Sequence, residues 1–225
     1  MGTSPRERAQ ALLLDLDGTL LDTAPDMAAA LNRLLTETGR PTLAMDTIRP
    51  YVSHGAAALV RLGTAEQHPE EFERLRRRFL DIYAEALSVD TRPFAGFETL
   101  LAAVDAAHMP WGIVTNKPGY LTEALLTAQA LTSRAACVVC GDTLARRKPH
   151  PEPLLHAAQL IDRAPEACLY VGDSERDIRA GRAAGMRTVV ARFGYLGEAD
   201  RPETWQADGM IDHPGELTEW LALRP

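Results

Sequence analysis

Short apolar runs alternate with helical patterns along most of this chain. We interpret the apolar runs as strands at 11–14, 111–115, 137–140, 168–173, 188–192 and 210–211. Between them, apolar positions recur at helical spacing at 98–107, 120–130, 152–161, 175–184 and 215–223. This alternation predicts an α/β fold, in which helices cover both faces of a mostly parallel, Rossmann-like sheet.

The segment 23–92 interrupts this alternation. It contains no convincing strand, and its apolar residues repeat at helical spacing, as at Met27, Leu31, Leu34 and Leu35. We therefore predict an all-helical cap domain at 23–92, inserted into an α/β core domain formed by 1–22 and 93–225. The arginines at 74 and 76–78 fall mostly off the apolar stripe of one predicted helix, which favours a solvated helix face.

Composition and charge exclude several classes of protein. The formal net charge of -7 argues against a broad nucleic-acid-binding or anionic-membrane-binding surface. No N-terminal apolar run is long enough for a signal peptide or a membrane span, which predicts a cytoplasmic protein. Cys137 and Cys140 match a redox or zinc spacing, but strand alternation predicts that their sulfurs point to opposite faces of the sheet.

The run from Asp15 to Thr19 contains the first candidate chemistry. Asp15 and Asp17 follow the first apolar run, and alternation along an extended chain would point both carboxylates to the same side. Two ionised carboxylates on the same side of a strand are close enough to repel each other unless a cation or a proton separates them. The pair therefore favours a divalent metal. Gly18 allows a sharp turn, and Thr19 offers a hydroxyl and an N–H to an anion. A metal with an anion indicates phosphate chemistry.

Polar residues also end two later strands. Thr115 and Asn116 follow one of them, Asp173 follows another, and Asp177 lies at the start of the next predicted helix. Lys148 precedes a further helix entrance. In an open parallel sheet, ligands bind beyond the carboxyl ends of the strands, so we expect these residues to meet Asp15 and Asp17 at one edge of the sheet.

In this arrangement the chain resembles the haloacid dehalogenase superfamily of phosphatases. The matching motifs are Asp15-Leu-Asp-Gly-Thr-Leu, Thr115-Asn116, Lys148-Pro149 and Gly172-Asp173-Ser174-x-x-Asp177. Within the superfamily it is similar to the phosphoglycolate phosphatase group in Leu21-Asp-Thr-Ala-Pro-Asp26 and Lys148-Pro-His-Pro-Glu-Pro153. The tail, including Trp205-Gln-Ala-Asp-Gly-Met-Ile-Asp-His-Pro, is similar to N-acetylmuramic acid 6-phosphate phosphatases.

The resemblance implies a role for each matching residue. Asp15 would attack phosphorus and form an aspartyl-phosphate, and Asp17 would protonate the leaving oxygen and then activate water. Mg²⁺ would be bound by Asp15, the Asp17 carbonyl and Asp173, with support from Asp177. Lys148 would offset the charge of the phosphate, which the resemblance places against Gly18, Thr19, Thr115, Asn116 and Lys148.

The resemblance implies a phosphoric monoester hydrolase that acts on a small phosphate ester, as a monomer or homodimer. Phosphoglycolate and N-acetylmuramic acid 6-phosphate are the two substrates it suggests, and a sugar phosphomutase like β-phosphoglucomutase would keep the same aspartates. Where phosphoglycolate phosphatases typically read Gly-Asn-Gly, this chain has Ser53-His54-Gly55. We expect His54, together with Arg49 and the helix N-terminus beside it, to face a substrate carboxylate.

Overall fold

The computed structural model describes residues 8–223 and has a parallel sheet at its centre. Its strands are, in chain order, β1 (Ala11–Leu14), β2 (Leu21–Asp22), β3 (Arg92–Pro93), β4 (Trp111–Val114), β5 (Cys137–Val139), β6 (Cys168–Gly172), β7 (Arg187–Ala191) and β8 (Gly209–Ile211). Six of these strands form one sheet in the order β5-β4-β1-β6-β7-β8, and every pairing in it is parallel. The predicted α/β class is confirmed.

Helices connect the strands and fill the segment between β2 and β3. They are α1 (Ala24–Glu37), α2 (Met45–Ile48), α3 (Gly55–Thr64), α4 (Pro69–Glu85), α5 (Phe97–Ala106), α6 (Gly119–Ala128), α7 (Glu152–Leu160) and α8 (Glu175–Ala183). Short 3₁₀ helices lie at Arg49–His54, Pro165–Ala167, Pro202–Thr204 and Pro214–Glu219. None of the helices described has the combination of length and apolar character that a bilayer crossing needs.

Both faces of the sheet are covered, as the alternation of β1 shows. Leu12 and Leu14 pack into an apolar cluster that includes Phe97 of α5 and Leu125 of α6. Ala11 and Leu13 join a second cluster, with α7 and α8, on the opposite face. Because successive side chains of a strand point to opposite faces, a strand buried on both sides has to be apolar at every position.

The helices between β2 and β3 pack around a third apolar cluster. Its members come from α1, α2, α3, α4 and the 3₁₀ helix Arg49–His54, together with Leu121 and Tyr195 from the part of the chain that contains the sheet. β2 and β3 form an antiparallel ribbon in which Leu21 pairs with Pro93 and Asp22 with Arg92. The chain therefore enters and leaves the inserted helices at adjacent positions. The division into domains at 23–92 stays a prediction.

The predicted helix at 215–223 is wrong. The chain instead forms the 3₁₀ helix Pro214–Glu219, and Leu221 then makes a parallel bridge to Ala9. The N–H of Ala9 donates to the carbonyl of Trp220, and the N–H of Ala222 donates to the carbonyl of Ala9. A long-range backbone pairing therefore replaces the last helical turns, an outcome that local apolar spacing does not reveal.

Candidate active site

Residues from separate strand ends meet at one cavity. Its volume is about 500 Å³, and it lies between the carboxyl edge of the sheet and the inserted helices. The sheet side contributes Asp15, Asp17, Thr115, Asn116, Lys117, Arg147, Lys148 and Arg176, and the inserted segment contributes Met27, Val52, Ser53, His54, Arg76, Leu80 and Tyr83, among others. The sequence therefore predicted correctly that most of these strand-end residues converge.

Lys148 lies at the centre of the sheet side of this cavity. Its side chain is fully buried, and its Nζ lies 2.8 Å from Asp15 Oδ1 and 2.7 Å from Asp177 Oδ1. It also donates to the carbonyl of Val114 and to the hydroxyl of Tyr170. A buried ammonium needs such partners to offset the loss of hydration. Lys148 therefore holds Asp15 from one side.

Asn116 fixes the backbone at Lys148. Its Nδ2 donates to the carbonyl of Lys148 at 2.9 Å, and its Oδ1 accepts from the N–H of Lys148 at 3.1 Å. Thr115 is 3% exposed and lies on the cavity wall, where its Oγ1 accepts from the N–H of Lys117. The side-chain amide of Asn116 is thus engaged in orienting Lys148, whereas the Thr115 hydroxyl proton has no acceptor among residues 8–223 and is available to a ligand.

The two carboxylate oxygens of Asp15 differ in their surroundings. Oδ1 accepts from Lys148 and from the N–H of Leu16, whereas Oδ2 accepts no hydrogen bond from any residue in 8–223. Burial, followed by repulsion from Asp177, raises the pKa of Asp15 to about 6, although Lys148 acts to lower it. One oxygen is therefore fixed, and the other is left free to react or to bind a cation.

Asp15, Asp173 and Asp177 form an acidic cluster that fits a divalent cation. Their ligand oxygens lie within 4.8 Å of one another, and all three residues are buried. Asp173 Oδ2 accepts from Ser53 and from the N–H of Tyr195, but its buried Oδ1 has no partner in the described chain. Burial, and then the charges of Asp15 and Asp177, raise the pKa of Asp173 to about 7. An all-oxygen set with an unpaired buried oxygen suits a hard cation.

The Asp17 carboxylate lies outside that cluster. Its Oδ1 accepts from the Thr23 hydroxyl at 2.6 Å and from Lys117 Nζ at 2.9 Å. No hydrogen bond from residues 8–223 reaches the Asp17 carbonyl oxygen, which is thus open to a cation. Burial acts to lower the pKa of Lys117, but the charge of Asp17, the Tyr83 hydroxyl and the hydrogen bonds to both together outweigh that effect, so the pKa of the ammonium is raised.

Gly18 and Thr19 do not line the cavity. Gly18 has a φ of +82°, and a Cβ there would lie 2.1 Å from Asp173 Oδ2, so the position needs glycine to admit that carboxylate. The N–H of Gly18 donates to the Leu21 carbonyl, and that of Thr19 to the Leu16 carbonyl. The Thr19 hydroxyl is buried without a partner among the described residues. The sharp turn at Gly18 is confirmed; anion binding by this pair stays a prediction.

The inserted segment reaches the acidic cluster through Ser53. Ser53 Oγ donates to Asp173 Oδ2 at 2.6 Å, and the guanidinium of Arg176 donates to the Ser53 carbonyl. A contact between His54 and a substrate carboxylate stays a prediction; the residue is exposed and lies on the cavity wall. Arg49 does not: its guanidinium is bound to the Asp22 carboxylate at 3.0 and 3.2 Å.

Several cavity residues were not singled out as site residues from the sequence. Lys117 directly follows the Thr115-Asn116 pair, but its pairing with Asp17 depends on a distant turn of the chain. Tyr83 lies within the predicted helical segment 23–92, and nothing in the sequence distinguishes it from the apolar residues around it. Arg76 was assigned to a solvated helix face; it does pair with Glu73 at 2.6 Å, but it also lines the cavity. A one-dimensional pattern marks such residues only as buried or charged.

The cysteines lie away from this chemistry. Cys137, Cys140 and Cys168 are buried and free. Burial raises the pKa of Cys137 and of Cys168 to about 11, which disfavours the reactive thiolate.

Comparison with known proteins gives the same assignment at the level of family. The sequence model of the family described as "Haloacid dehalogenase-like hydrolase" matches residues 12–191. The chain is 46% identical over 210 residues to a phosphoglycolate phosphatase of Xanthomonas campestris pv. campestris strain 8004, covering 93% of this chain and 95% of that protein. It is 42% identical over 218 residues to the N-acetylmuramic acid 6-phosphate phosphatase of Pseudomonas aeruginosa, covering 96% of each.

A solved structure has the same fold. The crystal structure of a "predicted phosphoglycolate phosphatase" from Haemophilus somnus 129pt matches with a TM-score of 0.85 and 26% identity, covering 96% of this chain and 99% of that one. The family match extends over most of the chain, and the strand ends it includes are the ones that meet at the cavity. The chain therefore belongs to the haloacid dehalogenase-like hydrolases, and is a phosphoric monoester hydrolase.

Proposed function

We propose that this enzyme is a Mg²⁺-dependent phosphatase that works through an aspartyl-phosphate on Asp15, with a small, carboxylate-bearing phosphate ester as its substrate. The asymmetry of Asp15 is the observation that supports this most directly. One of its oxygens is held by Lys148 and Leu16, and the other, which has no hydrogen-bond partner among residues 8–223, belongs to a residue of the cavity wall. A nucleophile needs this combination of fixed orientation and a free lone pair.

In the first step, Asp15 Oδ2 attacks phosphorus, and the bond between phosphorus and the ester oxygen breaks. The leaving oxygen takes a proton from Asp17. In the second step, Asp17 takes a proton from water as the water oxygen attacks phosphorus, which releases inorganic phosphate and restores Asp15. Thr23 and Lys117 hold the Asp17 carboxylate clear of the acidic cluster, so that it can exchange protons while Asp15 forms the covalent bond.

Charge compensation is the main requirement of this reaction, because a phosphate dianion has to approach a carboxylate. Lys148 supplies a fixed positive charge, and the Thr115 hydroxyl can donate to a phosphoryl oxygen. Asp15, Asp173 and the Asp17 carbonyl would hold Mg²⁺, with Asp177 beside them. When bound, the cation would neutralise charge that develops on the phosphoryl oxygens.

Two relatives suggest the substrate. The names of the Xanthomonas and Pseudomonas proteins specify phosphoglycolate and N-acetylmuramic acid 6-phosphate, and both of these molecules carry a carboxylate. We place phosphoglycolate first and N-acetylmuramic acid 6-phosphate second, because the Xanthomonas protein is the more similar in sequence. The cations on the cavity wall favour a substrate with a second negative charge in addition to its phosphate.

A panel of phosphate esters tests this function. With Mg²⁺ present, we expect inorganic phosphate to be released most efficiently from phosphoglycolate or N-acetylmuramic acid 6-phosphate, and less efficiently from neutral sugar phosphates and nucleotides. Phosphate release is measured as kcat/KM for each ester. Failure to hydrolyse any of the esters would contradict the proposed function.

Metal binding should stabilise the fold more at high pH than at low pH. The pKa values of Asp15 and Asp173 are raised from 3.8 to about 6 and about 7, so the metal-free native state binds protons that the unfolded chain has released. Its stability should therefore fall as pH rises through this range. Saturating Mg²⁺ should raise the Tm by roughly 5 °C near neutral to mildly alkaline pH, and by less in mild acid, where protons compete.

Potassium chloride at matched ionic strength controls for charge screening in that measurement. The Asp173→Asn variant should lose most of the Mg²⁺-dependent shift, because the unpaired oxygen is then part of a neutral amide. An equal shift in the variant and the wild type would place the cation elsewhere.

A further inference from the structure

Lys117 is a buried cation, and one of its N–H donors has no hydrogen-bond acceptor within the described part of the chain. It is 8% exposed, follows β4, and lies on the cavity wall. Its ammonium has three N–H groups, and the described residues offer them two acceptors, Asp17 Oδ1 at 2.9 Å and the Tyr83 hydroxyl at 3.1 Å. A buried ammonium with a free N–H on a cavity wall is arranged to receive an anion.

Tyr83 provides a second donor beside it. This residue lies on α4 of the inserted segment, and its hydroxyl oxygen accepts from Lys117. The hydroxyl proton has no acceptor among residues 8–223. Burial raises the pKa of Tyr83, so the proton stays on the oxygen near neutral pH. Lys117 and Tyr83 therefore present two adjacent donors, one contributed by the sheet side and one by the inserted helices.

The other buried or partly buried cations on this wall already have partners. Lys148 is paired with carboxylates, and Arg76 with Glu73. Arg176 donates to the Ser53 carbonyl, and its buried Nε, which has no partner among residues 8–223, belongs to a guanidinium whose charge acts on Asp177, Asp15 and Asp173. His54 and Arg147 are exposed, and an exposed cation binds an anion weakly because water competes for it. Lys117 is thus the cation that contacts Asp17, and it has a donor left for a ligand, whereas the spare donor of Arg176 belongs to the side of the cavity that holds the acidic cluster.

We propose that Lys117 and Tyr83 bind the carboxylate of the substrate's leaving group and so select phosphate esters whose carboxylate is one carbon away from the ester oxygen. This inference rests on the proposed function, in which Asp17 protonates that oxygen. Since Lys117 contacts Asp17 directly, a carboxylate separated from the ester oxygen by a single methylene group can reach the same ammonium. The carboxylate of N-acetylmuramic acid 6-phosphate is separated from its ester by much of the sugar and cannot reach Lys117 in the same pose.

The contact also gives the inserted helices a direct part in choosing the substrate. Tyr83 stacks on Phe79, with an interplanar angle of 7°, within the apolar cluster of the inserted segment. The position of its hydroxyl is therefore set by the packing of α4. The two donors adjoin only when α4 lies against the loop after β4, as it does here.

Tyr83→Phe is the sharpest test, because it removes one donor and keeps the ring. A Lys117 substitution would also remove the partner of Asp17 and so confound binding with catalysis. The measurement is the ratio of kcat/KM for 2-phosphoglycolate to kcat/KM for 2-hydroxyethyl phosphate, in which a neutral alcohol replaces the carboxylate. We expect this ratio to exceed one in the wild type and to fall about 10-fold in the variant, mainly through KM, because a hydrogen bond to a charged group is lost.

Tyr120→Phe makes the same chemical change at an exposed tyrosine that does not line the cavity, and it should keep the wild-type ratio. An unchanged ratio in Tyr83→Phe, or a wild-type enzyme that prefers N-acetylmuramic acid 6-phosphate over 2-phosphoglycolate, would overturn the carboxylate site while leaving the phosphatase intact. A wild-type enzyme that hydrolyses none of these esters would instead overturn the proposed function.

Discussion

Replacing Asp15 with asparagine should abolish turnover while the fold stays intact. The amide oxygen is a poor nucleophile, so the covalent step is lost, and we expect kcat to fall by roughly four orders of magnitude or more. The free energy of unfolding of the metal-free variant should not fall along with kcat. Burial and the neighbouring Asp177 raise the pKa of Asp15 to about 6, so its charge is unfavourable in the metal-free fold near neutral pH.

Phosphate release from the preferred ester measures the loss, and thermal unfolding of the metal-free protein checks the fold. Asp162→Asn is a matched control, because Asp162 is exposed and has a φ of +51°, a conformation that asparagine tolerates well. This control should keep wild-type activity. If Asp15→Asn kept activity within tenfold of the wild type, Asp15 could not be the nucleophile.

The sheet and the strand-end residues were predictable because they depend on local patterns. Fully apolar runs such as 11–14 have to be buried on both faces, and buried parallel strands require helical crossovers on both sides. Once the strands are parallel, their carboxyl ends share one edge, so Asp15, Thr115 and Asp173 could be placed together without coordinates. Lys148 was expected at the same edge, and its Nζ lies 2.8 Å from Asp15 Oδ1.

Contacts across the inserted helices could not be predicted in this way. Ser53 reaches Asp173, and Tyr83 reaches Lys117, only because α4 and the 3₁₀ helix Arg49–His54 pack against the sheet edge. Periodicity identifies the buried side of a helix but not the residue that it meets. Arg49 is an example. Its position near Ser53 suggested a substrate contact, but its guanidinium forms an ion pair with Asp22 and packs over the ring of Tyr195.

Replacing Lys148 with methionine should impair both catalysis and stability, and the two effects should differ in their pH dependence. Lys148 offsets the charges of Asp15 and Asp177 inside a fully buried site. Loss of this fixed charge should lower kcat by about 1000-fold. It should also raise the pKa of Asp15 beyond about 6, because the Lys148 charge acts to lower that value.

When the pKa of a carboxyl is higher in the folded than in the unfolded state, the fold loses stability as pH rises from the unfolded-state pKa towards the folded-state pKa. The free energy of unfolding of the variant, measured in urea without metal, should therefore lie below that of the wild type by about 3 kcal/mol near neutral pH. In mild acid, where the carboxyls are protonated in both proteins, the deficit should shrink. A deficit that is independent of pH would mean that lost packing, rather than unpaired charge, causes it.

Combining Lys148→Met with Asp177→Asn separates the role of Lys148 in catalysis from its role in stability. The second substitution removes one of the unpaired charges, and its side-chain oxygen can still accept the N–H of Ser174 that caps α8. Much of the lost stability should therefore return, whereas kcat should stay low, because nothing replaces the positive charge beside the phosphate. Recovery of both quantities would show that Lys148 serves only to neutralise buried aspartates. Recovery of stability alone, with the single Asp177→Asn variant keeping most of the wild-type kcat, would show that the Lys148 charge also acts on the reacting phosphoryl group.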